Sequence, residues 1–240
     1  MTRTAIIAAM PAELKPLARS WRHQRQNGVD LWRWSFNEGE WIAACAGAGT
    51  QAATRAFAEV EKTGPIDKVI STGWGGALRE ELAPGQALDV SAVIDSRTGE
   101  RFVAAVPLKD CCLVTSPKVA DAHEKLRLAE TYSAALVDME ASAIARLAQM
   151  RGIPFYCIKG ISDGYSEHLP DFNRFISPNG HFQTPRFVLF AILRPKHWPA
   201  LIRMGENSKK AARAIADSLI DLLDKDGQIR KLNGYPSHKR

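Results

Sequence analysis

Short apolar runs alternate with helical stretches along most of this chain. No other feature of the sequence constrains its fold class as strongly as this alternation. The apolar runs have the length of buried strands, and the segments between them repeat apolar residues at helical spacing. Such repeated units favour an α/β fold of three layers, with a mixed, twisted central sheet flanked by helices. We predict strands at residues 4–9, 32–36, 41–46, 68–71, 87–94, 101–106, 136–139 and 154–161, and helices from Pro11, at 50–63 and at 141–151.

The organisation of the chain predicts one domain over residues 1–225, because there is no internal repeat and no low-complexity linker. Asn37-Glu38-Gly39 is a good turn sequence for a hairpin between two of the strands. Residues 164–179 are predicted to form a loop. The segment 185–223 is basic and amphipathic, with a helix at 208–223, and residues 226–240 are predicted to be a disordered tail.

Composition and charge narrow the class of protein. No run of about 18 apolar residues occurs, and the N-terminal apolar run is too short for a signal peptide, which favours a cytoplasmic protein. The four cysteines show no paired spacing and the six histidines are scattered, so no metal is expected. The net charge of +6 comes from residues 194–240, with eleven Lys and Arg against five Asp and Glu. Residues 1–193 are therefore neutral overall, which argues against a protein that binds nucleic acid with its whole surface. The basic charge of the C-terminal segment is expected to act locally.

Candidate chemistry lies where four of the predicted strands end. In an open α/β sheet, ligands bind beyond the carboxyl ends of the strands. Several carboxylates beside a glycine-rich wall, without a lysine or metal cluster, are typical of acid–base chemistry on a neutral or cationic substrate. The strand ends run into Met10-Pro11-Ala12-Glu13, Thr72-Gly73-Trp74-Gly75-Gly76, Asp138-Met139-Glu140 and Ser162-Asp163.

Each of these residues also has an ordinary structural explanation. Glu13 follows a helix start, where the helix dipole stabilises an acid, and Asp163 fits a loop or a cap. Asp138 fits a solvated acid or one that only supports the site. The glycine-rich segments 47–49 and 73–76 are turn sequences, which also allow a backbone to approach a ligand closely. Taken together, and in this order along the chain, the residues favour a catalytic site over these separate structural explanations.

Five motifs make the chain resemble a known enzyme family. They are IIAAMPAE, GAGTQAA, STGWGGAL, VDMEASAIA and IKGISD, within residues 4–165. Their order and spacing resemble those of the methylthioadenosine/S-adenosylhomocysteine nucleosidases and the wider purine nucleoside phosphorylase superfamily. The resemblance implies a three-layer α/β fold, a nucleoside substrate, a homodimer or higher homo-oligomer, and neither a metal nor an organic cofactor.

The resemblance also implies two catalytic residues. By position, Glu13 orients or deprotonates an attacking water, and Asp163, with Ser162 beside it, is the general acid on the purine. Cleavage passes through an oxocarbenium-like state, so one group assists the departing base while another delivers the nucleophile from the opposite face. Adenine presents an N7 acceptor beside its N6 amino donor. An Asp163 that stays protonated in a dry pocket would donate to N7 and accept from N6, which favours adenine over 6-oxo purines.

Four further residues are candidates for substrate binding. Glu140 resembles the partner of the ribose hydroxyls, and Met139 resembles the residue that packs on the sugar. Gly73 and Trp74 belong to the glycine-rich wall that approaches the ligand. Trp74 stands where the family often has a small residue, so it either reshapes the pocket beside the nucleophile or points into the core.

Other departures concern the base and the nucleophile. Residues 116–136 differ from the adenine-binding loop of the nucleosidases, so no base contact is assigned there. The phosphorylases of the superfamily bind phosphate through arginines near their glycine loops, and Ala8-Ala9 and residues 44–47 offer none. Phosphate would also be repelled by Glu13 unless Arg55 or Arg79 reaches the site. Water is therefore the predicted nucleophile.

The C-terminal segment carries a second resemblance. Residues 187–193, Arg194-Pro195-Lys196-His197-Trp198-Pro199 and the helix that follows resemble the tail of the hopanoid-associated phosphorylases, which are implicated in removing adenine from adenosylhopane. Apolar residues interleaved with basic ones and a tryptophan are also what a membrane-surface contact needs. The alternative is a core or dimer-interface helix with a solvated basic face.

Three other functions stay open on sequence alone. The first is a phosphorylase, which would form ribose 1-phosphate. The second is a non-catalytic nucleoside-binding module in which Trp74 fills the space of the nucleophile. The third is a nucleic-acid binder that acts through the basic tail and binds with a strong salt dependence.

Overall fold

The computed structural model describes residues 2–36, 39–105, 111–167, 170–177 and 179–225. Three features predicted above therefore lie outside the described residues: the turn residues Asn37 and Glu38, the end of a predicted strand at Val106, and the tail at 226–240.

Within those ranges the chain forms eleven strands and six α-helices. The strands are β1 (Thr2–Ala8), β2 (Arg22–Gln26), β3 (Val29–Phe36), β4 (Gly39–Cys45), β5 (Lys68–Ala77), β6 (Ala87–Asp89), β7 (Ala92–Asp95), β8 (Arg101–Val103), β9 (Cys112–Thr115), β10 (Leu136–Asp138) and β11 (Phe155–Asp163). The helices are α1 (Pro11–Ala18), α2 (Thr50–Glu61), α3 (Ala122–Tyr132), α4 (Ala141–Arg151), α5 (Thr184–Ile192) and α6 (Trp198–Lys225). Short 3₁₀ helices lie at Phe172–Phe175 and Pro195–His197.

The strands form one mixed sheet with β5 near its centre. Their order is β2-β3-β4-β1-β5-β10-β9-β7-β8, and β11 pairs with both β5 and β6. Strand β1 runs parallel to β4 and β5, and β5 runs parallel to β11. The pairs β2–β3, β3–β4 and β7–β8 are antiparallel. This mixed sheet with helices on both faces confirms the predicted fold class.

Strand β5 changes partner along its length, and this change positions the site. Its first half pairs with β1 as far as Ser71, and its end pairs with β10 from Gly76. Residues 72–75, between these two positions, are in register with neither β1 nor β10. The sheet therefore opens beside this stretch, at a change of strand order of the kind where α/β sheets bind ligands.

Alternate residues of β1 point into two helical layers. Ile7 belongs to a core cluster with Phe57 of α2, on one face of the sheet. Ile6 belongs to a second cluster with Leu17 of α1 and Leu219 of α6, on the other face. Because successive strand side chains point to opposite faces, a continuous apolar run such as residues 5–8 is what a central strand between two layers requires.

Helix α6 packs closely on β11 because Gly160 has no side chain. A Cβ at that position would lie 2.8 Å from Ile215 Cδ1 and 2.9 Å from Ala211 Cβ, both on α6. We predicted that this helix starts at residue 208, but it already begins at Trp198. Pro199 does not interrupt it, since a proline in the first turn has no backbone hydrogen bond to lose.

Several element predictions are wrong or incomplete. The strand predicted at 87–94 is two strands, β6 and β7, which pair with β11 and β9 respectively. Strand β5 continues through its glycines to Ala77 instead of ending near Ser71. The elements β2, β9, α3 and α5 were missed. Helix α3 carries a clear start signal, because the Asp121 side chain accepts a hydrogen bond from the Glu124 amide.

Candidate active site

A cavity of about 820 Å³ opens at the carboxyl ends of β1, β10 and β11 and beside residues 74–76 of β5. The structure thus brings together the four strand ends that the sequence analysis singled out. Gly73 lies directly behind Glu13. The other candidate residues all line the cavity: Glu13, Trp74, Met139, Glu140, Ser162 and Asp163.

Glu13 is a buried carboxylate held by three backbone amides. Its Oε2 accepts hydrogen bonds from the amides of Ala9 and Met10, each at 2.8 Å, and its Oε1 accepts one from the amide of Trp74 at 2.8 Å. Burial raises the pKa of Glu13, against the lowering effect of these amides. A carboxylate offers about four acceptor sites, so roughly one stays available. The raised pKa makes the ionised group a stronger base.

Gly73 and Trp74 complete the setting of Glu13. Gly73 has a φ of 121°, and a Cβ there would lie 2.8 Å from Glu13 Oε1, so only glycine fits without strain. The Trp74 indole lines the cavity, packs against the cluster shared by α1 and α6, and donates from Nε1 to the Ser208 carbonyl at 3.0 Å. The tryptophan therefore joins α6 to the cavity wall.

Glu140 is the second buried carboxylate of the wall. Its Oε1 accepts a hydrogen bond from the Gly49 amide at 2.6 Å, and its Oε2 accepts a longer one from the Met139 amide at 3.3 Å. Burial and the negative charge of Asp138 raise the pKa of Glu140 to about 7. Near neutral pH this group is therefore present in two forms. The ionised form only accepts hydrogen bonds, and the protonated form can also donate one.

Asp138 is a buried ion-pair partner and not the solvated acid that the sequence allowed. Its Oδ2 lies 2.9 Å from Lys159 Nζ, and its Oδ1 accepts from Thr115 Oγ1 at 2.7 Å. Burial has the largest single effect on Lys159 and opposes its charge, but the negative charge of Asp138 and smaller contributions from its hydrogen bond and from Glu140 together exceed it and raise the pKa of Lys159. This fixed positive charge also stabilises the ionised forms of Glu13 and Glu140.

Asp163 lies at an irregularity of β11. The register against β5 shifts between Ile161 and Asp163, which leaves Ser162 as an extra residue, as in a β-bulge. Ser162 Oγ lies 2.6 Å from Asp163 Oδ1, and the Lys125 ammonium contacts Asp163 Oδ2. Ser162 Oγ also lies 3.2 Å from the Gly75 carbonyl oxygen, and the ion pair between Asp163 and Lys125 was not predicted from the sequence.

Two lysines of this region were missed by the sequence analysis. The expectation of a site without lysines is wrong, since Lys125 pairs with Asp163 and Lys159 pairs with Asp138. For Lys159 a signal existed, because a charged residue inside the apolar run of β11 requires a buried partner. For Lys125 the available signal was Asp121, which marks the start of α3 and was not recognised. Within the described ranges, no group of His, Cys, Asp and Glu could hold a metal ion.

The remainder of the cavity is apolar with a basic rim. The exposed side chains of Lys15, Arg19, Lys209 and Arg213 lie along this rim. The cavity is thus polar at the strand ends and apolar beneath α5 and the first turns of α6. The apolar wall consists of Phe172, Ile176, Phe182, Phe187, Leu201 and Met204.

The two arginines considered for phosphate binding are engaged elsewhere. Arg55 donates to the carbonyls of Ala46 and Asn179, at 3.2 and 2.7 Å. Arg79 donates to the carbonyl of Ser133 at 3.0 Å. Neither side chain is part of the cavity lining.

Most of the chain matches a known protein family. A family model described as the phosphorylase superfamily matches residues 3–122 and 98–178. No curated protein matches the sequence.

Solved structures resemble the fold over nearly the whole chain. A methylthioadenosine/S-adenosylhomocysteine nucleosidase from Helicobacter pylori, complexed with a substituted pyrrolidin-3-ol, has a TM-score of 0.71 at 16% identity, and the match covers 93% of this chain and 98% of the nucleosidase. A futalosine hydrolase from the same organism has a TM-score of 0.71 at 15% identity, with coverage of 93% and 98%. The Arabidopsis thaliana 5′-methylthioadenosine nucleosidase has a TM-score of 0.71 at 17% identity, with coverage of 97% and 98%.

Proposed function

The chain belongs to the phosphorylase superfamily, and we propose that it hydrolyses the N-glycosidic bond of an adenine nucleoside whose ribose carries an apolar 5′ group. The observation that carries this proposal is the presence of Glu13 and Asp163 in the wall of one cavity, together with Glu140 and Met139. These residues provide a base for the nucleophile, a polar group for the departing purine and a surface for the sugar. Nucleosidases among the solved structures with this fold support the reaction class.

Glu13 is the proposed base for water. The three backbone amides fix its carboxylate, so its remaining acceptor position can hold a water molecule in one orientation. Water, rather than phosphate, is the proposed nucleophile because Arg55 and Arg79 donate to backbone carbonyls and neither side chain lines the cavity. An anion beside the negative charge of Glu13 would also be repelled.

Glu140 and Met139 are the proposed sugar-binding residues. A buried carboxylate that accepts only two backbone hydrogen bonds keeps further acceptor positions for ribose hydroxyls. Met139 provides an apolar surface next to it. Asp163 and Ser162, at the end of β11, also line the cavity and are the proposed partners of the purine.

The apolar wall supports an apolar 5′ substituent. Phe182, Phe187 and Met204 belong to this wall, which bears no charged side chain of its own. Burial of apolar surface contributes about 25 cal/mol per Å², so a large alkyl group would add several kcal/mol to binding. Adenosylhopane, the substrate that the C-terminal resemblance suggests, is the specific compound we propose.

The first test is chromatographic detection of adenine in phosphate-free buffer. The protein is mixed with 5′-methylthioadenosine, S-adenosylhomocysteine and a 5′-alkyl adenosine. We expect adenine release from adenosines with apolar 5′ groups, fastest with the alkyl compound and slowest with S-adenosylhomocysteine, because the apolar wall disfavours a charged amino acid.

The alternatives predict different products. Release that requires added phosphate and yields ribose 1-phosphate would show a phosphorylase instead. Tight nucleoside binding without any turnover would show a non-catalytic binding module. A preference for S-adenosylhomocysteine would leave hydrolysis in place and contradict the apolar 5′ group.

We also propose that α5 and the start of α6 contact an anionic membrane surface. This part of the chain exposes apolar side chains, led by Leu189 at 59%, Ile192 at 61% and Leu193 at 70%. Residues 172–205 contain five Lys and Arg and no Asp or Glu. Two copies of such a basic face would repel each other, whereas anionic lipid headgroups would not. No helix in the part of the chain that the structure describes is long and apolar enough to cross a membrane.

Vesicle co-sedimentation tests this contact. Binding is expected with phosphatidylglycerol vesicles and not with phosphatidylcholine vesicles. The double variant Leu189→Ser, Ile192→Ser is expected to weaken it at least tenfold, because each buried aliphatic side chain contributes about 1.5–3 kcal/mol. Met150→Ser, which alters a side chain of α4 that is 73% exposed, is the control. Unchanged vesicle binding, or loss of a homodimer in the double variant, would contradict a membrane contact.

The assembly state and the cellular location stay predictions. The resemblance implies a homodimer or higher homo-oligomer, and sedimentation velocity would determine its size. A cytoplasmic enzyme at the inner membrane face is the location that the proposed contact implies.

A further inference from the structure

Lys125 is a buried charged residue in the cavity wall, and none of the catalytic or substrate-binding roles proposed so far involves it. Its side chain is 2% exposed, and its ammonium contacts Asp163 Oδ2 and donates to the Gly164 carbonyl at 2.6 Å. An ammonium has three donor hydrogens. Among the described residues, only these two acceptors lie within hydrogen-bond reach of it.

The local packing leaves room for this ion pair at the cavity. A Cβ on Gly76 would lie 3.0 Å from both Asp163 Oδ2 and Lys125 Cε, so a side chain there would press on the pair. Burial of an ammonium carries a free-energy cost that only close partners offset. Lys125, Asp163 and Gly76 all line the cavity, so the pair faces the ligand as well as the protein.

We infer that Lys125 is the proton donor to the departing adenine and that ionised Asp163 accepts a hydrogen bond from the N6 amino group. This inference rests on the proposed function. The Hoogsteen edge of adenine offers an acceptor at N7 and a donor at N6. An ammonium beside a carboxylate offers the complementary pair, so no protonated aspartic acid is needed.

The step balances in atoms and electrons. The C1′–N9 bond breaks and its electron pair goes to the base, while N7 takes a proton from the Lys125 ammonium. Water forms the new C1′–O bond and gives a proton to Glu13. Adenine and the free sugar leave, and proton exchange with solvent restores the Lys125 ammonium and the Glu13 carboxylate.

The test compares two leaving groups in Lys125→Gln and Lys125→Arg. The substrates are 5′-methylthioadenosine and a 4-nitrophenyl riboside with the same 5′ group, whose nitrophenolate leaves without a proton. We expect both variants to lose about 100-fold in adenine release and less than about tenfold in nitrophenolate release. Arginine keeps a charge beside Asp163 but does not give up its proton, so it separates proton transfer from charge pairing. Arg127→Gln, on the exposed face of the same helix, is the matched control.

Each outcome decides the matter. Equal losses on both substrates would assign Lys125 a structural role, and adenine release within threefold of wild type would remove it from catalysis. Recovery of adenine release by Lys125→Arg would contradict proton transfer. A wild-type protein that cleaves neither compound would contradict the proposed function instead.

Discussion

Glu13→Gln is expected to lower the rate of adenine release by about 1,000-fold, with nucleoside affinity changed by roughly tenfold at most. Glutamine keeps the size of the side chain but cannot take a proton from water. The three amides of Ala9, Met10 and Trp74 surround the carboxylate, so the amide nitrogen of glutamine would face at least one of these donors. One lost buried hydrogen bond also lowers the free energy of unfolding by about 1–3 kcal/mol.

Single-turnover kinetics and a binding titration with 5′-methylthioadenosine separate these two effects. Glu59→Gln is the control for stability, since Glu59 is a buried glutamate outside the cavity that bonds Asn27 and Lys62. We expect it to lower the free energy of unfolding without changing adenine release. If Glu13→Gln still releases adenine within tenfold of the wild-type rate, another group must activate the water.

The polar residues of the cavity could be located from the sequence because they follow buried strands. The strand that ends before Met10 and the one that ends in Ser162-Asp163 were visible as apolar runs, and parallel strand ends meet at one edge of a sheet. This rule needs no knowledge of side-chain contacts. Glu13 and Asp163, which follow β1 and β11, line one cavity as this rule predicts, whereas Glu140 joins them from β10, which runs antiparallel to β5.

The same reasoning could not show which charges meet in the interior. Lys125 and Asp163 are 38 positions apart, and Lys159 reaches Asp138 from a different strand. Pairing of this kind depends on the register of β11 against β5 and on the angle of α3, which no local pattern encodes. Strand β5 was predicted too short for a related reason, since glycines disfavour strands by themselves. The neighbouring strands and the close approach of Glu13 override that preference here.

Asp163→Asn is expected to lower adenine release by about 1,000-fold while leaving 5′-methylthioadenosine bound. The substitution keeps the shape of the side chain and removes the negative charge that faces the Lys125 ammonium and Ser162 Oγ. Without that charge the ammonium loses its orientation, and the N6 amino group of adenine loses a strong acceptor. Asp95→Asn is the matched control, because Asp95 is also buried and paired with arginines but lies outside this cavity. Unchanged adenine release in Asp163→Asn would remove Asp163 from the mechanism.

The same variant should also change the choice of base. In the wild-type protein the O6 atom of a 6-oxo purine would face the carboxylate of Asp163, and two acceptors repel each other. The amide of asparagine can turn a donor toward that oxygen. We therefore expect the ratio of adenine to hypoxanthine release, measured with 5′-methylthioadenosine and 5′-methylthioinosine, to fall at least tenfold in Asp163→Asn, about 1.4 kcal/mol in discrimination. An unchanged ratio would mean that base selection depends on other groups of the wall, even if the turnover of both compounds is low.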